Sequence, residues 1–144
     1  MVGTVSTIVR LGVAFILGGL IGMERESKRG PAGLRTHILV CVGSALIMLT
    51  SIYIYELYQN QADIDPGRIA AGVVTGVGFL GAGTIIRNSS KISGLTTAAS
   101  IWISAAIGLA VGCGYFSAAI VVTVMSYFSL SILKRLEKSQ SKGK

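Results

Sequence analysis

Residues 36–55 read THILVCVGSALIMLTSIYIY, an uninterrupted stretch of 20 residues that contains no Asp, Glu, Lys or Arg. A helix of about 20 mostly apolar residues is long enough to cross the hydrocarbon core of a bilayer. Inside lipid, every backbone N–H and C=O needs a hydrogen-bond partner within the protein. We therefore expect this stretch to be a transmembrane helix.

Four further apolar stretches have comparable lengths and are separated by short polar connections. Together with the first they predict five transmembrane helices, at residues 5–23, 36–55, 66–86, 95–112 and 115–133. The chain has 144 residues, so five such helices leave little length for anything else. We therefore predict one transmembrane domain over residues 1–144, in which residues 134–144 form a basic tail.

The overall composition agrees with this prediction. Hydrophobic residues make up 51% of the chain, there are 19 glycines, and only 13% of the residues are charged. A soluble domain carries roughly 25% charged residues, and a small one has too much surface to hide this many apolar side chains. The composition excludes a soluble enzyme and a disordered chain, and it predicts an all-α integral membrane protein that folds as a compact, glycine-rich bundle.

The basic residues indicate how the bundle is oriented. Eleven of the 13 Lys and Arg residues fall on one side of a five-helix arrangement: Arg25, Lys28, Arg29, Arg35, Arg87, Lys91, Lys134, Arg135, Lys138, Lys142 and Lys144. Because Lys and Arg favour the cytoplasmic side, the N-terminus is predicted outside and the C-terminus in the cytoplasm. The net charge of +7 is split among short loops, which argues against nucleic acid as a partner.

Small residues recur in the first, third and fourth segments, often at intervals of four. Such spacing lets helix backbones approach closely in lipid. We expect packing roles for Gly18, Gly22, Gly72, Gly76, Gly78, Gly81, Gly83, Gly108 and Gly112. The third segment has small residues on more than one face, so we expect it to lie centrally. Tight packing within one chain is the preferred interpretation, and a homodimer contact or a permeation path along exposed carbonyls remains open.

Charged and polar residues gather at the predicted cytoplasmic ends of the segments. In a compact bundle they would converge at one depth and form a candidate polar cluster: Glu24, Arg25, Glu26, Arg35, Thr36, His37, Arg87, Thr96 and Thr97. The cluster is interpreted either as ion pairs that anchor helix ends or as a polar site for an ion or a partner. We expect Glu24 and Arg35 to lie close enough to share it.

The sequence offers little support for an enzyme or for a resident cofactor. It shows no Ser-His-Asp arrangement and no paired carboxylates within the segments, and His37 is the single histidine. Glu56, Asp63 and Asp65 are hard oxygen ligands of the kind that Mg²⁺ prefers, although a hydrated loop explains them better. We predict no cofactor, leave Mg²⁺ open, and assign no metal ligand.

Five strings carry a resemblance to a known family, in the same order and over roughly residues 17–115. They are GLIGMERE at 19–26, AGLRTH at 32–37, RIAA at 68–71, GVGFLGAG at 76–83 and GLTTAASIW at 94–102. With these strings the chain resembles the membrane domain of the MgtC/SapB family. Many members also carry a C-terminal ACT-like domain, which we expect this chain to lack.

The resemblance implies a multi-pass protein of the bacterial inner membrane that is associated with growth in low magnesium. Some family members are thought to act on other membrane proteins. The first functional hypothesis is therefore a non-enzymatic protein supporting magnesium or envelope homeostasis through contacts with the bilayer, a second copy of itself or another membrane protein. The alternative is a small transporter or channel for Mg²⁺, another ion or a solute. We rank it second because ionisable residues are nearly absent from the middle of the segments.

Overall fold

The computed structural model describes residues 2–59, 64–89 and 91–133. It contains five α-helices: α1 (Thr4–Ser27), α2 (Leu34–Tyr58), α3 (Pro66–Ala82), α4 (Leu95–Cys113) and α5 (Phe116–Phe128). A π-helical segment, Ser129–Leu133, continues α5. The helices α1, α2 and α4 are long and apolar enough to cross a membrane. The all-α membrane fold is thus confirmed, whereas the number of spans and their orientation stay predictions, and the tail 134–144 lies outside the described residues.

The centre of the bundle is formed by α2 and α4, which make the most extensive contact in the described chain. Helix α1 packs along α2, and α5 covers α4 and part of α1. The main core lies where these helices meet, and its fully buried side chains are Ala14, Leu17, Ile21, Cys41, Ala45, Ile107, Val111 and Ala119. A smaller core joins α3 to α4 through Val73, Val77, Ile101 and Ala105, and also includes Ala32.

Glycines make the contacts of α1 and α4 with α2 unusually close. A Cβ on Gly18 would lie 2.7 Å from Cβ of Cys41, and one on Gly112 would lie 2.6 Å from the carbonyl oxygen of Ala45. A Cβ on Gly108 would overlap the carbonyl oxygen of Cys41. Helix backbones therefore touch at these positions, and any side chain would push the helices apart.

The third helix lies at the edge of the bundle, and the expected central position for it was wrong. No atom of another element lies within 4 Å of a Cβ built on Gly72, Gly76 or Gly78, so no described helix packs against the side of α3 that a side chain there would occupy. The packed face of α3 is instead formed by Val73, Val77 and Gly81, which recur every fourth residue and therefore share one side of the helix. Gly83 approaches only the carbonyl oxygens of its own last turn.

A short hairpin, which the sequence reading did not predict, connects α3 to α4. Strand β1 (Ile86–Asn88) pairs antiparallel with β2 (Lys91–Ser93), with Ile86 opposite Ser93 and Asn88 opposite Lys91. The predicted segment 66–86 is consequently shorter as a helix and ends at Ala82. Gly94 follows the hairpin with φ of +90°, and a Cβ there would overlap the carbonyl oxygen of Thr84. Only glycine fits this turn into α4.

The opposite end of α4 is closed by backbone and side-chain hydrogen bonds. Gly114 has φ of +90°, and the N–H groups of Gly114 and Tyr115 donate to Val111 and Ala110 in a Schellman arrangement. Arg10 reaches across from α1, and its Nη1 donates to the carbonyl oxygen of Gly112 at 2.7 Å. A guanidinium at this point also opposes the negative end of the helix dipole of α4.

The glycine contacts predict that alanine destabilises the protein at a packed glycine but not at an exposed one. Gly108→Ala should lower the free energy of unfolding by about 1–3 kcal/mol or more, because the added methyl group overlaps the backbone of α2. Gly12 is the matched control, because it lies mid-helix in α1 with nothing within 4 Å of a Cβ. Gly12→Ala should be neutral or stabilising by up to about 1 kcal/mol. Unfolding in detergent measures both variants, and equal losses would contradict the packing described here.

Candidate functional site

A cluster of polar side chains is buried where α1 ends and where α2 and α4 begin. We call it the polar cluster, and it consists of Glu24, Arg25, His37, Thr97 and Ser100. His37 is fully buried, and the other four are at most 5% exposed. Three helices contribute to it because the glycine contacts bring α1 and α4 against α2 from different sides. Buried polar groups are nearly always hydrogen-bonded, so any of these groups that lacks a partner is a candidate for binding a ligand.

Arg25 joins α1 to α4 within the polar cluster. Its Nη2 donates to Oγ1 of Thr97 at 3.3 Å, and its Nη1 lies 3.9 Å from Oε2 of Glu24. Its Nε is buried and has no hydrogen-bond partner within the described part of the chain. The guanidinium is therefore only partly satisfied and retains a donor for a further group.

The side chain of Glu24 is a buried carboxylate without a hydrogen-bond partner among the described residues. Both of its carboxylate oxygens are buried and lack a hydrogen bond to any described residue, and its ion pair with Arg25 is long at 3.9 Å. Burying an ionised carboxylate costs on the order of several kcal/mol of folding free energy, unless hydrogen bonds or a nearby cation compensate for the lost hydration. Such a group is either held by the adjacent guanidinium or available to an additional cation or donor.

His37 is held between α2 and α4 by both ring nitrogens. Nδ1 lies 2.7 Å from the carbonyl oxygen of Gly33, and Nε2 lies 3.0 Å from Oγ of Ser100. A carbonyl oxygen can only accept, so Nδ1 carries the proton and Nε2 of the neutral ring accepts from the Ser100 hydroxyl. The same hydroxyl has the carbonyl oxygen of Thr97 at 2.8 Å as an alternative acceptor. The ring thus crosslinks the two central helices.

Glu26 acts separately from the polar cluster, at the start of α2. It is exposed, and its Oε2 accepts from the backbone N–H of Leu34 at 2.7 Å, which satisfies one of the free donors of the first turn. A Cβ on Gly33 would lie 2.8 Å from the same oxygen. This acidic residue in the last turn of α1 therefore caps the first turn of α2.

The remaining predicted site residues lie on the surface. Arg35, Thr36, Arg87 and Thr96 are exposed. Among the described residues the ion pair of Glu24 is with Arg25, and none joins it to Arg35. Arg35 instead lines a shallow depression beside Glu26 at the start of α2. Ser100 belongs to the cluster but was not among the predicted site residues, and its position one turn after Thr97 on the same face of α4 is the signal that identifies it.

The acidic residues at the other end of the bundle do not form a metal site in the part of the chain that the structure describes. No group of three His, Cys, Asp or Glu side chains occurs within residues 2–59, 64–89 and 91–133. Asp65 accepts from the N–H of Gly67 at 2.7 Å and caps α3, and Glu56 accepts from the N–H of Val2 at 3.1 Å. Asp63 lies outside the described residues.

Comparison with known proteins identifies relatives along nearly the whole chain. The model of the MgtC family matches residues 11–139. "Putative magnesium transporter YhiD" of Escherichia coli (strain K12) is 47% identical over 135 residues, which cover 92% of this chain and 63% of the relative. "Protein MgtC" of Salmonella typhimurium (strain LT2) is 44% identical over 118 residues, which cover 82% of this chain and 48% of the relative.

A third relative, an uncharacterised protein of Haemophilus influenzae, is 44% identical over 124 residues, covering 83% of this chain and 52% of the relative. The chain thus spans between about half and just under two thirds of the length of these curated relatives. No solved structure matches the chain.

The hydrogen bonds of His37 predict which serine of α4 matters for stability. Ser100→Ala leaves Nε2 of His37 without a partner in a dry interior, which should cost about 1–3 kcal/mol of unfolding free energy. Ser104 is the matched control, because it is equally buried but donates only to the carbonyl oxygen of Ser100 in its own helix. Ser104→Ala should change stability by about 0.5 kcal/mol or less. Thermal unfolding in detergent measures the stability of both variants. An equal loss of stability in Ser104→Ala and Ser100→Ala would refute this role of His37.

Proposed function

Because the chain belongs to the MgtC family, we propose that it is a non-enzymatic protein of the bacterial inner membrane that supports magnesium homeostasis through contacts with other membrane proteins. The membrane location rests on the family and on three long apolar helices. The inner membrane, the cytoplasmic position of the polar cluster and the link to magnesium are parts of the proposal. They are supported by the distribution of Lys and Arg and by the names of the relatives.

The observation that carries this proposal is the largely apolar interior of the bundle, where the buried polar side chains away from the polar cluster are hydroxyls such as those of Ser44 and Ser104. Between the polar cluster and Arg10, the core is filled by Ala14, Leu17, Ile21, Cys41, Ala45, Ile107 and Val111. At the glycine contacts, the backbones of α1 and α4 lie directly against α2. Among the described residues, no ionisable side chain other than Cys41 lies in the middle of this core, as a conduction path or relay would require. A protein of this kind acts through its surface.

The edge helix α3 provides the surface that best fits a partner in the membrane. Gly72 and Gly76 line an apolar groove of about 520 Å³ between α3 and α2, together with Gly43 and Leu39. The exposed glycines allow a second helix to approach the backbone of α3 as closely as α1 and α4 approach α2. We propose that a second copy of the chain or a helix of another membrane protein occupies this groove.

The second candidate is transport of Mg²⁺ or another solute. It is favoured by the name of the Escherichia coli relative YhiD and by the buried carboxylate of Glu24, whose two oxygens lack hydrogen-bond partners in the described chain. A transporter would need the bundle to open along the contacts of α2, because the described core there is filled mainly by apolar side chains. This requirement places transport second.

A reconstituted flux assay separates the two candidates. We expect purified protein in liposomes to show no Mg²⁺ uptake above that of empty liposomes, because the apolar core blocks passage. A clear uptake that Glu24→Gln abolishes would establish transport and refute the proposal. Glu26→Gln is the matched control, because Glu26 is exposed and caps α2 outside the polar cluster.

The groove on α3 gives a test of the contact mechanism. Gly76→Leu should remove crosslinked dimers or partner complexes and abolish growth in low magnesium, because its side chain fills the groove while the monomer remains folded. Gly12→Leu, on the exposed side of α1, should retain both properties. Crosslinking in membranes and growth of a strain that depends on the chain are the measurements. Unchanged behaviour of Gly76→Leu would exclude this groove.

A further inference from the structure

A pocket of about 450 Å³ opens beside the polar cluster and lies outside the function proposed above. We call it the basic pocket, and it is formed by the connection between α1 and α2, by the hairpin and by the first turn of α4. Its cationic lining residues are Arg25, Lys28, Arg29 and Lys91. None of its lining residues, all within the described chain, is acidic. The closest carboxylate to its buried cation is that of Glu24, 3.9 Å from Nη1 of Arg25.

The first turn of α4 contributes free backbone donors to the basic pocket. Leu95, Thr96 and Thr97 line it, and their N–H groups precede the first bond of the helix, which Ala98 donates to Gly94. Gly94 is the N-cap and has no side chain to satisfy these donors. The start of a 19-residue helix therefore presents N–H groups and the positive end of its dipole to the pocket.

A buried guanidinium supplies a second, independent sign of an anionic ligand. Arg25 is 5% exposed and lines the basic pocket, and its Nε is a buried donor with no partner in the described residues. Gly30 faces this group, and a Cβ there would lie 3.0 Å from Nη2 and 3.4 Å from Nε. Glycine at this position places no side chain against the guanidinium edge. The hydroxyl of Thr97, which accepts from Nη2, has its own proton free to donate.

An apolar groove lies beside the basic pocket on the outside of the bundle. This α4–α5 groove has a volume of about 700 Å³ and is lined mainly by apolar groups, including Ala99, Trp102 and Leu130. Leu95 and Thr96 line both the groove and the basic pocket, so the two adjoin at the start of α4. The basic pocket suits an anionic headgroup, and the α4–α5 groove suits an extended apolar chain. A molecule with both parts is an amphiphile such as a membrane lipid.

Because the two adjoin, we propose that the chain binds an anionic phospholipid, with its phosphate in the basic pocket and an acyl chain in the α4–α5 groove. The phosphate oxygens accept from Nε of Arg25, from the free N–H groups of α4 and from Lys28 and Lys91. A headgroup that adds an ammonium is disfavoured, because four cationic side chains already surround the position. Phosphatidylglycerol satisfies these requirements and phosphatidylcholine does not.

The single tryptophan makes this proposal measurable. Trp102 is the one Trp of the chain and lines the α4–α5 groove, so its fluorescence reports on the acyl chain beside it. The full chain is reconstituted in mixtures of brominated and plain lipids, and the quenching gives the relative affinity of phosphatidylglycerol over phosphatidylcholine. We expect a preference well above fivefold at low salt, because each basic residue near an anionic lipid contributes roughly fivefold.

Charge-neutralising variants test whether residues of the basic pocket cause the preference for phosphatidylglycerol. Lys91→Gln and Lys28→Gln should each lower it by about fivefold, because both residues line the basic pocket. Arg87→Gln is the matched control: Arg87 is on the same hairpin but does not line the pocket, and it should keep the preference. Equal quenching by the two lipids, or an equal loss in the Arg87 variant, overturns the proposal. Lys91 is exposed, so its variant tests the site without disturbing the fold.

A soluble phosphate could satisfy the same donors, and a second arm distinguishes it. Inorganic phosphate is titrated into the protein in phosphatidylcholine vesicles, and its binding is measured by calorimetry. We expect no saturable binding at millimolar phosphate, because the groove supplies part of the affinity. Saturable binding that Lys91→Gln removes, with no preference between the lipids, would assign the basic pocket to a free anion and refute a lipid.

Discussion

Backbone contact at glycines is the constraint on which this structure depends. In lipid, apolar side chains gain little by leaving their surroundings, so close packing and polar contacts must hold the helices together. Gly18 of α1 and Gly108 and Gly112 of α4 supply that packing against α2. Their contacts determine how far apart the helices lie and how each is rotated. Every polar side chain near the ends of these helices takes its position from that arrangement.

The polar cluster follows directly from the packing. With α1 and α4 both held against α2, the ring of His37 spans from Gly33 to Ser100, and Arg25 reaches Thr97. The buried donors and acceptors tie three helices together at one level of the bundle. The carboxylate of Glu24 and Nε of Arg25 remain without hydrogen bonds in the described chain, and such groups are costly unless something else satisfies them. Of the two residues, Arg25 lines the adjacent basic pocket.

Several features of the fold were predictable because they depend on short stretches of sequence. Helix lengths follow from apolar runs, and the small residues of α1 and α4 recur at the spacing that close contact needs. The same reasoning failed for α3, whose glycines occur on several faces while its packed side is made by Val73 and Val77. It also missed the hairpin at 86–93, because Ile85 and Ile86 continue an apolar run that the turn at Gly83 and Thr84 interrupts. For the candidate site, proximity along the chain indicated Glu24 and Arg25, but it also suggested Arg35, which the rotation of α2 leaves on the surface.

The sequence by itself determined a helical membrane protein of the MgtC family, with small residues for packing and charges at the helix ends. Those properties are local, since length, hydropathy and composition are read from one segment at a time. Only the tertiary structure decided which glycines touch a neighbour, which charges are buried, and that a basic pocket and an apolar groove meet at Leu95 and Thr96. The physical reason is that a helix apolar on all sides, such as α2, does not specify its own rotation. Its neighbours fix that rotation, and they place its polar residues inside or outside.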